Sequence, residues 1–511
     1  MKTILSIFII AVLMVSCNTQ EKNESEKQLP NIVYILADDL AYNELGCYGQ
    51  QKIETPNIDK LAENGMLFKE HYCGSPVCAP SRDVLLTGQH GGHAYIRGND
   101  GMPSRGDIWD FAKTSADPYL EGQRPIPDST VTIAKLLKQK NYVTACIGKW
   151  GLGGPLTEGN PNKQGFDLFY GYNCQRQAHT YYPLHLWRND KKDTLRNKLL
   201  KPHTPLPKDA DPYDPESYKQ FSDVDYSPDL MLKEALGFIE TNKNKPFFLY
   251  YASPLPHVAL QAPEKWVKKY HAKFGDEEPY TGNHGYFPSR YPRATYAGMI
   301  SCLDEQVGEI VKKLKEEGVY DNTLIIFTSD NGPTYTGGVD FEFFESSAPF
   351  HNGYGWTKGF VHEGGIHIPM IASWPGHIAK GKTSKHLSAF YDVLPTLCDI
   401  ADISVPAYMD GISFLPELLG EKNQEHEYLF WEFAGYGGQQ AVRMGKWKAV
   451  RKNIKKGNLE IELYDMDNDL LEEHDVAQEY PEIIKKIEKI MLAEHQPSEH
   501  FGLPLLDSLV N

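Results

Sequence analysis

Asn31-Ile32-Val33-Tyr34-Ile35-Leu36-Ala37 runs directly into Asp38-Asp39. From Ile32 to Ala37 nothing alternates between polar and apolar, so a strand here buries both faces. That pattern belongs to a parallel sheet covered by helices on each side. Four further runs share it, at 142–147, 247–252, 324–328 and 368–373. Amphipathic stretches at 58–70, 130–140, 229–241, 295–318 and 393–401 lie between them and predict helices. Pro228 suits the first turn of one of these, with Ser227 as its cap. Strands alternating with helices predict an α/β fold with a doubly wound, mostly parallel sheet.

Two stretches break the alternation. Residues 160–225 are rich in Pro, Tyr, His and Asn without a long period, and predict loops crossing one face. From 415 the texture turns to polar, strand-like runs at 428–433 and 440–450, then a helical 481–495. This predicts a catalytic domain over 30–414 and a smaller α+β domain over 415–511. At the other end, Lys2 precedes an apolar run from Ile4 to Val15 that is too short to span a bilayer. Met14-Val15-Ser16-Cys17 looks like a bacterial lipobox, which predicts a signal peptide over 1–17 and lipidation of Cys17. The polar stretch 18–29 reads as a flexible tether, so the expected location is the cell envelope, lipid-anchored and exported.

The chain has 511 residues and a net charge of −16, which argues against nucleic acid as a partner. Of eight cysteines, Cys17 and Cys78 have assigned roles. Cys47, Cys73, Cys146, Cys174, Cys302 and Cys398 are free to pair, though Cys146 and Cys302 sit in apolar runs that suit buried thiols.

Asp38-Asp39 and Asp330-Asn331 each follow a strand, where open α/β sheets bind their ligands. Together they offer hard oxygens suited to Ca²⁺ or Mg²⁺. Between them in sequence lies Cys78-Ala79-Pro80-Ser81-Arg82, then Thr87-Gly88. This stretch resembles the C-x-P-S-R…T-G maturation signature of the type I sulfatases, a branch of the alkaline-phosphatase-like superfamily. The resemblance implies that Cys78 is oxidised to formylglycine (3-oxoalanine) by a formylglycine-generating maturation enzyme. It also implies one Ca²⁺ held by Asp38, Asp39, Asp330, Asn331 and the modified Cys78.

Arg82, Lys149, His257 and Lys358 match the family's cationic positions in the same order. By that resemblance Arg82 and Lys149 hold the formylglycine diol, while His257 and Lys358 bind sulfate and assist the leaving group. The implied reaction is covalent: a hydroxyl of the hydrated aldehyde attacks sulfur, the alcohol departs, and the second hydroxyl collapses to release sulfate. Serine could perform the first step but not this elimination.

One position departs from the family. Its second signature usually reads G-K-W-H, whereas this chain has Gly148-Lys149-Trp150-Gly151. His93, His179, His185 and His362 are the candidate substitutes for the missing imidazole. His367 stands where the family commonly has Arg, which implies an altered structural contact.

Residues 173–189 concentrate aromatic and cationic side chains suited to a sulfated sugar: His179, Tyr181, His185, Trp187 and Arg188, with Arg176 beside them. The expected substrate is a sulfated polysaccharide fragment, such as algal ulvan, carrageenan or a glycosaminoglycan. Two rivals stand beside this reading. One is a phosphatase or phosphodiesterase of the same superfamily, which zinc content would reveal. The other is a glycan-binding lipoprotein impaired in catalysis, suggested by Gly151.

Overall fold

A computed structural model describes residues 29–510. The leader, Cys17 and the tether up to residue 28 lie outside the described residues. In chain order the strands are β1 (Asn31–Ala37), β2 (Met66–Phe68), β3 (His71–Tyr72), β4 (Val143–Lys149), β5 (Leu168–Tyr172) and β6 (His185–Arg188). They continue with β7 (Lys191–Thr194), β8 (Phe247–Ala252), β9 (Thr323–Ser329), β10 (Met370–Ser373), β11 (Lys382–Ser384) and β12 (Ser388–Ala389). Ten of them form one sheet in the order β11-β2-β10-β9-β1-β8-β4-β5-β6-β7. Its centre, β9-β1-β8-β4-β5, is parallel throughout, with Ile35 opposite Tyr251 on one side and Phe327 on the other.

Burial on both faces of β1 explains its unbroken apolarity. Ile32, Tyr34 and Leu36 belong to one hydrophobic cluster, while Val33, Ile35 and Ala37 belong to another across the sheet. The helices Ser227–Asn242 and Pro292–Glu316 pack on the second face. The helix Val393–Ile400 and the helix Cys78–Thr87 pack on the first.

The sheet is more mixed than its central apolar runs imply. β10 pairs antiparallel with both β9 and β2, and β6 and β7 form an antiparallel extension at the far edge. Residues 160–225 therefore contribute β5, β6 and β7 rather than loops alone. The expected helix at 58–70 ends at Glu63, because residues 66–68 leave it to become β2. The helix at 130–140 shrinks to Ile133–Leu137 followed by a tight turn. Ser227 is the first residue of its helix, with Tyr226 as the cap, and its hydroxyl pairs with that of Tyr172 at 2.7 Å.

Towards the C-terminus, β13 (Leu429–Phe433), β14 (Gln439–Met444), β15 (Trp447–Lys452) and β16 (Glu462–Asp465) form an antiparallel meander. The helix Pro481–Ala493 covers it, packing Ile487, Ile490 and Met491 against Phe430, Val442 and Leu463. All seven cysteines among the described residues are free thiols.

Candidate active site

The signature segment forms the buried helix Cys78–Thr87. Pro80 sits in its first turn, where no backbone N–H has an intrahelical partner to lose. Gly88 ends the helix at φ 69°, its N–H donating to the Val84 carbonyl. Cys78 is thereby the first helical residue, at the end whose dipole favours negative charge. Ser81 Oγ donates to the Asp330 carbonyl at 2.5 Å, and Arg82 forks onto Asp330 Oδ2 through Nε (3.0 Å) and Nη2 (2.9 Å). Arg82 Nη1 also donates to the Lys149 carbonyl at 2.5 Å. Ser81 and Arg82 thus clamp the helix to the ends of β9 and β4.

Those strand ends deliver the rest. Asp38-Asp39 leaves β1, Asp330-Asn331 leaves β9, Lys149 ends β4, and His257 follows β8. Cys78 Sγ lies 3.3 Å from Asp38 Oδ1 and 3.9 Å from Asp39 Oδ1. Lys149 Nζ is 2.5 Å from Asp38 Oδ2, and Lys358 Nζ is 2.6 Å from both Asp39 oxygens. Each ammonium lies 3.6 Å from Cys78 Sγ. His257 Nε2 stands 3.7 Å from Asp39 Oδ2. The cations on Cys78 are therefore Lys149 and Lys358, and Arg82 serves Asp330 instead.

Burial works against each charge here, and the partners decide the outcome. Burial alone would raise Asp38, but Lys149, then His257, Arg82 and Lys358, hold it well below the usual carboxylate range. Asp330 rises, through burial and the Asp38 charge. Burial, with Lys358 and Lys149, pushes His257 down to about 4.

Three buried carboxylates and an amide in contact form a hard-oxygen set that fits Ca²⁺ or Mg²⁺. Asn331 Nδ2 donates to Asp39 Oδ1 at 2.7 Å, while Asn331 Oδ1 is buried without a hydrogen-bond partner among the described residues. That oxygen is an uncommitted ligand atom beside the carboxylates. Ligand atoms of Asp38, Asp39, Cys78 and His257 lie within 4.8 Å of one another.

Cys78, Lys149, His257 and Lys358 form part of the wall of a cleft of about 480 Å³. His179 lines it too, stacked on His257 with ring centroids 5.4 Å apart. The backbone N–H of Tyr286 donates to His203 Nδ1 at 2.9 Å, and His203 Nε2 meets His179 Nδ1 at 3.0 Å. This chain of donors assigns the His179 proton to Nε2.

Gly151 has φ 88°, and a Cβ built there would lie 2.3 Å from Gln175 Nε2. Gln175 therefore fills the space that a side chain at 151 would need. Its Nε2 is buried, has no hydrogen-bond partner among the described residues, and belongs to a residue lining the cleft. Of the four candidate imidazoles, His179 alone lines this cleft. His93 meets Asp410 at 2.9 Å, His185 meets Glu121 at 3.0 Å, and His362 lies 3.1 Å from Glu472. His367, in the family's Arg position, bridges Glu363 (2.7 Å) and the Lys69 carbonyl (2.6 Å), a structural contact.

Arg176 lines the cleft beside His179, whereas Tyr181, His185, Trp187 and Arg188 lie elsewhere. Tyr181 is fully buried, its hydroxyl donating at 2.6 Å to the carbonyls of Pro254 and His257. His185 and Trp187 both bond Glu121, and Arg188 pairs with Glu234. His185, Trp187 and Arg188 belong to β6 in the sheet extension, which sequence texture did not reveal. Conversely, Trp109, Tyr286, Tyr436, Lys455 and His500 line the cleft and were missed. Trp109 lies in a stretch without periodicity, and the last three arrive from the C-terminal sheet and the chain end, hundreds of residues from the signature.

The sulfatase family model matches residues 30–403, and the model described as N-sulphoglucosamine sulphohydrolase, C-terminal, matches 352–497. N-acetylgalactosamine-6-sulfatase of Rattus norvegicus is 31% identical over 441 residues, covering 83% of this chain and 71% of that protein. Arylsulfatase A of Homo sapiens is 31% identical over 445 residues, covering 82% and 74%. Among solved structures, Ps i-CgsB in complex with k-i-k-neocarrahexaose superposes with a TM-score of 0.71 at 29% identity, covering 92% of this chain and 94% of that one.

Proposed function

The chain belongs to the sulfatase family and is a sulfuric ester hydrolase of sulfated glycans, and we propose that it acts with Cys78 carried as formylglycine. The preferred substrate is a carrageenan-class oligosaccharide, a reading supported by the neocarrahexaose bound to Ps i-CgsB. Export and anchoring through Cys17 in the cell envelope rest on the lipobox at 14–17. The observation that carries the chemistry is the placement of Cys78 Sγ at a helix N-terminus, 3.6 Å from two ammonium groups and 3.3 Å from Asp38.

Asp38, Asp39, Asp330 and Asn331 would hold Ca²⁺, which supplies positive charge that acidifies an adjacent hydroxyl and offsets sulfuryl oxygens. The other roles belong to this chain's own side chains. Lys149 fixes Asp38 and Lys358 fixes Asp39, so both ammonium groups are already aimed at the reacting atom of residue 78. Donors held in place before reaction stabilise developing negative charge without reorganising. His257 Nδ1 donates to the Val258 carbonyl, which leaves Nε2 as the atom that accepts or returns a proton. Gln175 Nε2 can donate but not accept a proton, so it replaces the family imidazole as a hydrogen-bond donor, and proton transfer falls to His257.

Peptide mass spectrometry of the segment containing Cys78, from protein made with a maturing enzyme, tests the reading. The expected result is an aldehyde in place of the thiol, together with sulfate release from carrageenan oligosaccharides measured by ion chromatography. An unconverted thiol in protein that still releases sulfate would overturn the nucleophile. Release from other sulfated glycans but not from carrageenans would overturn the substrate.

A further inference from the structure

We propose that the substrate carries a second anionic substituent, besides the sulfate ester that is cleaved, and that Arg176 stacked on Trp109 binds it. The inference rests on the sulfatase reading and concerns the same cleft. Although the chain carries a net charge of −16, no Asp or Glu among the described residues lines this cleft. Its cations are Lys149, Lys358, Arg176 and Lys455. The first two already have carboxylates, Asp38 and Asp39.

Arg176 is different. It is half-buried, and its guanidinium lies over the Trp109 ring at 4.1 Å. It forms no ion pair among the described residues. The acidic groups that influence it are committed elsewhere: Asp100 pairs with Arg124 at 2.6 Å, and Asp107 Oδ1 accepts the Trp109 backbone N–H at 2.8 Å. Burial is the largest influence on the guanidinium and lowers its pKa, so its charge is under-compensated where it stands. Stacking fixes the guanidinium plane and leaves its edge donors for a planar or tetrahedral anion, bound through two hydrogen bonds. Trp109 is 47% exposed and also packs against His179 at 5.8 Å, which joins this cation to the floor of the cleft. The ligand chemistry is an oxyanion on the same glycan, either a further sulfate or a uronate carboxylate.

Calorimetric titration of Cys78→Ala protein, which cannot turn over, tests this directly. The probes are galactan and hexosamine disaccharides with one sulfate, with two sulfates, or with one sulfate and a carboxylate. The second anion is expected to tighten binding about tenfold, the scale of a charge-assisted bidentate contact. Arg176→Gln should abolish that gain and Arg176→Lys should restore only part of it. The two dianionic probes tell sulfate from carboxylate. Equal binding of mono- and dianionic probes, no binding of any probe, or a gain that survives in Arg176→Gln overturns the proposal. Should Arg176→Gln fail to fold in a melting assay, Trp109→Leu replaces it, since removing the platform should also reduce the gain. Preference for dianions without sulfate release would count against the hydrolase chemistry alone. Release without that preference would count against this inference alone.

Discussion

At residue 151 a backbone conformation and a neighbour act together. Gly151 at φ 88° tolerates no ordinary side chain, and Gln175 Nε2 already stands 2.3 Å from where a Cβ would begin. Restoring the family histidine by Gly151→His is therefore expected to reduce activity rather than raise it. The left-handed backbone and the clash should cost about 1–3 kcal/mol in stability, read by thermal unfolding alongside sulfate release. Gln175→Ala should lower kcat by roughly 10²-fold, the usual loss of one preorganised donor, with less change in KM. Lys358→Ala should cost about as much or more, because it also leaves the buried Asp39 without its cation. The carboxylates and Lys149 were legible because they end strands, and Cys78 and Arg82 because they share one short signature on a single helix. Gln175 was not legible: nothing in a linear string shows that its side chain occupies the volume of residue 151.

At the level of elements, the approach of β4 to β8 controls where Lys149 is delivered. Gly148 has φ 123°, and a Cβ there would lie 1.9 Å from the Ala252 carbonyl. Gly148→Ala should therefore spread the two strands, at a cost of about 3 kcal/mol or more, and displace Lys149 from Asp38. Chemical denaturation should report the first effect, and loss of sulfate release in the protein that remains folded the second. β1, β4, β8 and β9 were legible because they are buried on both faces and their apolar runs have no gaps. β6 and β7 were not, since an antiparallel edge can carry residues such as Lys191-Lys192-Asp193 that read as a loop, and β5, parallel to β4, was hidden inside the same aperiodic stretch. The short Ile133–Leu137 helix was overestimated because its turn residues, Lys138 to Lys140, keep helical composition.

Across the whole molecule, the terminal segment is tied to the C-terminal sheet by His495. Its Nδ1 meets Glu432 at 2.7 Å and its Nε2 meets Asp507 at 3.0 Å. Burial would lower its pKa, but those two carboxylates outweigh it and raise the value above the ordinary 6.5. A raised folded-state pKa stabilises fully below the unfolded value, so this contribution is complete below pH 6.5 and lost as pH climbs through the raised value. Melting curves across that window should show the loss, and His495→Gln should flatten it. Calcium should raise the melting temperature and a chelator lower it, with a gain of about 2.7 kcal/mol at a hundredfold excess over Kd. Asn331→Ala, which removes the uncommitted oxygen, should shrink that response. The burial of all ten residues from Cys78 to Thr87 also fixes an order of events. In the folded protein only Cys78 of this helix reaches the cleft, and the rest of the segment is buried. If Cys78 is converted as proposed, conversion would precede folding, and the yield of active molecules would be decided by a race between the modifying enzyme and the collapse of the sheet. Slowing folding during synthesis should raise the converted fraction, while adding the modifying enzyme to folded protein should change nothing.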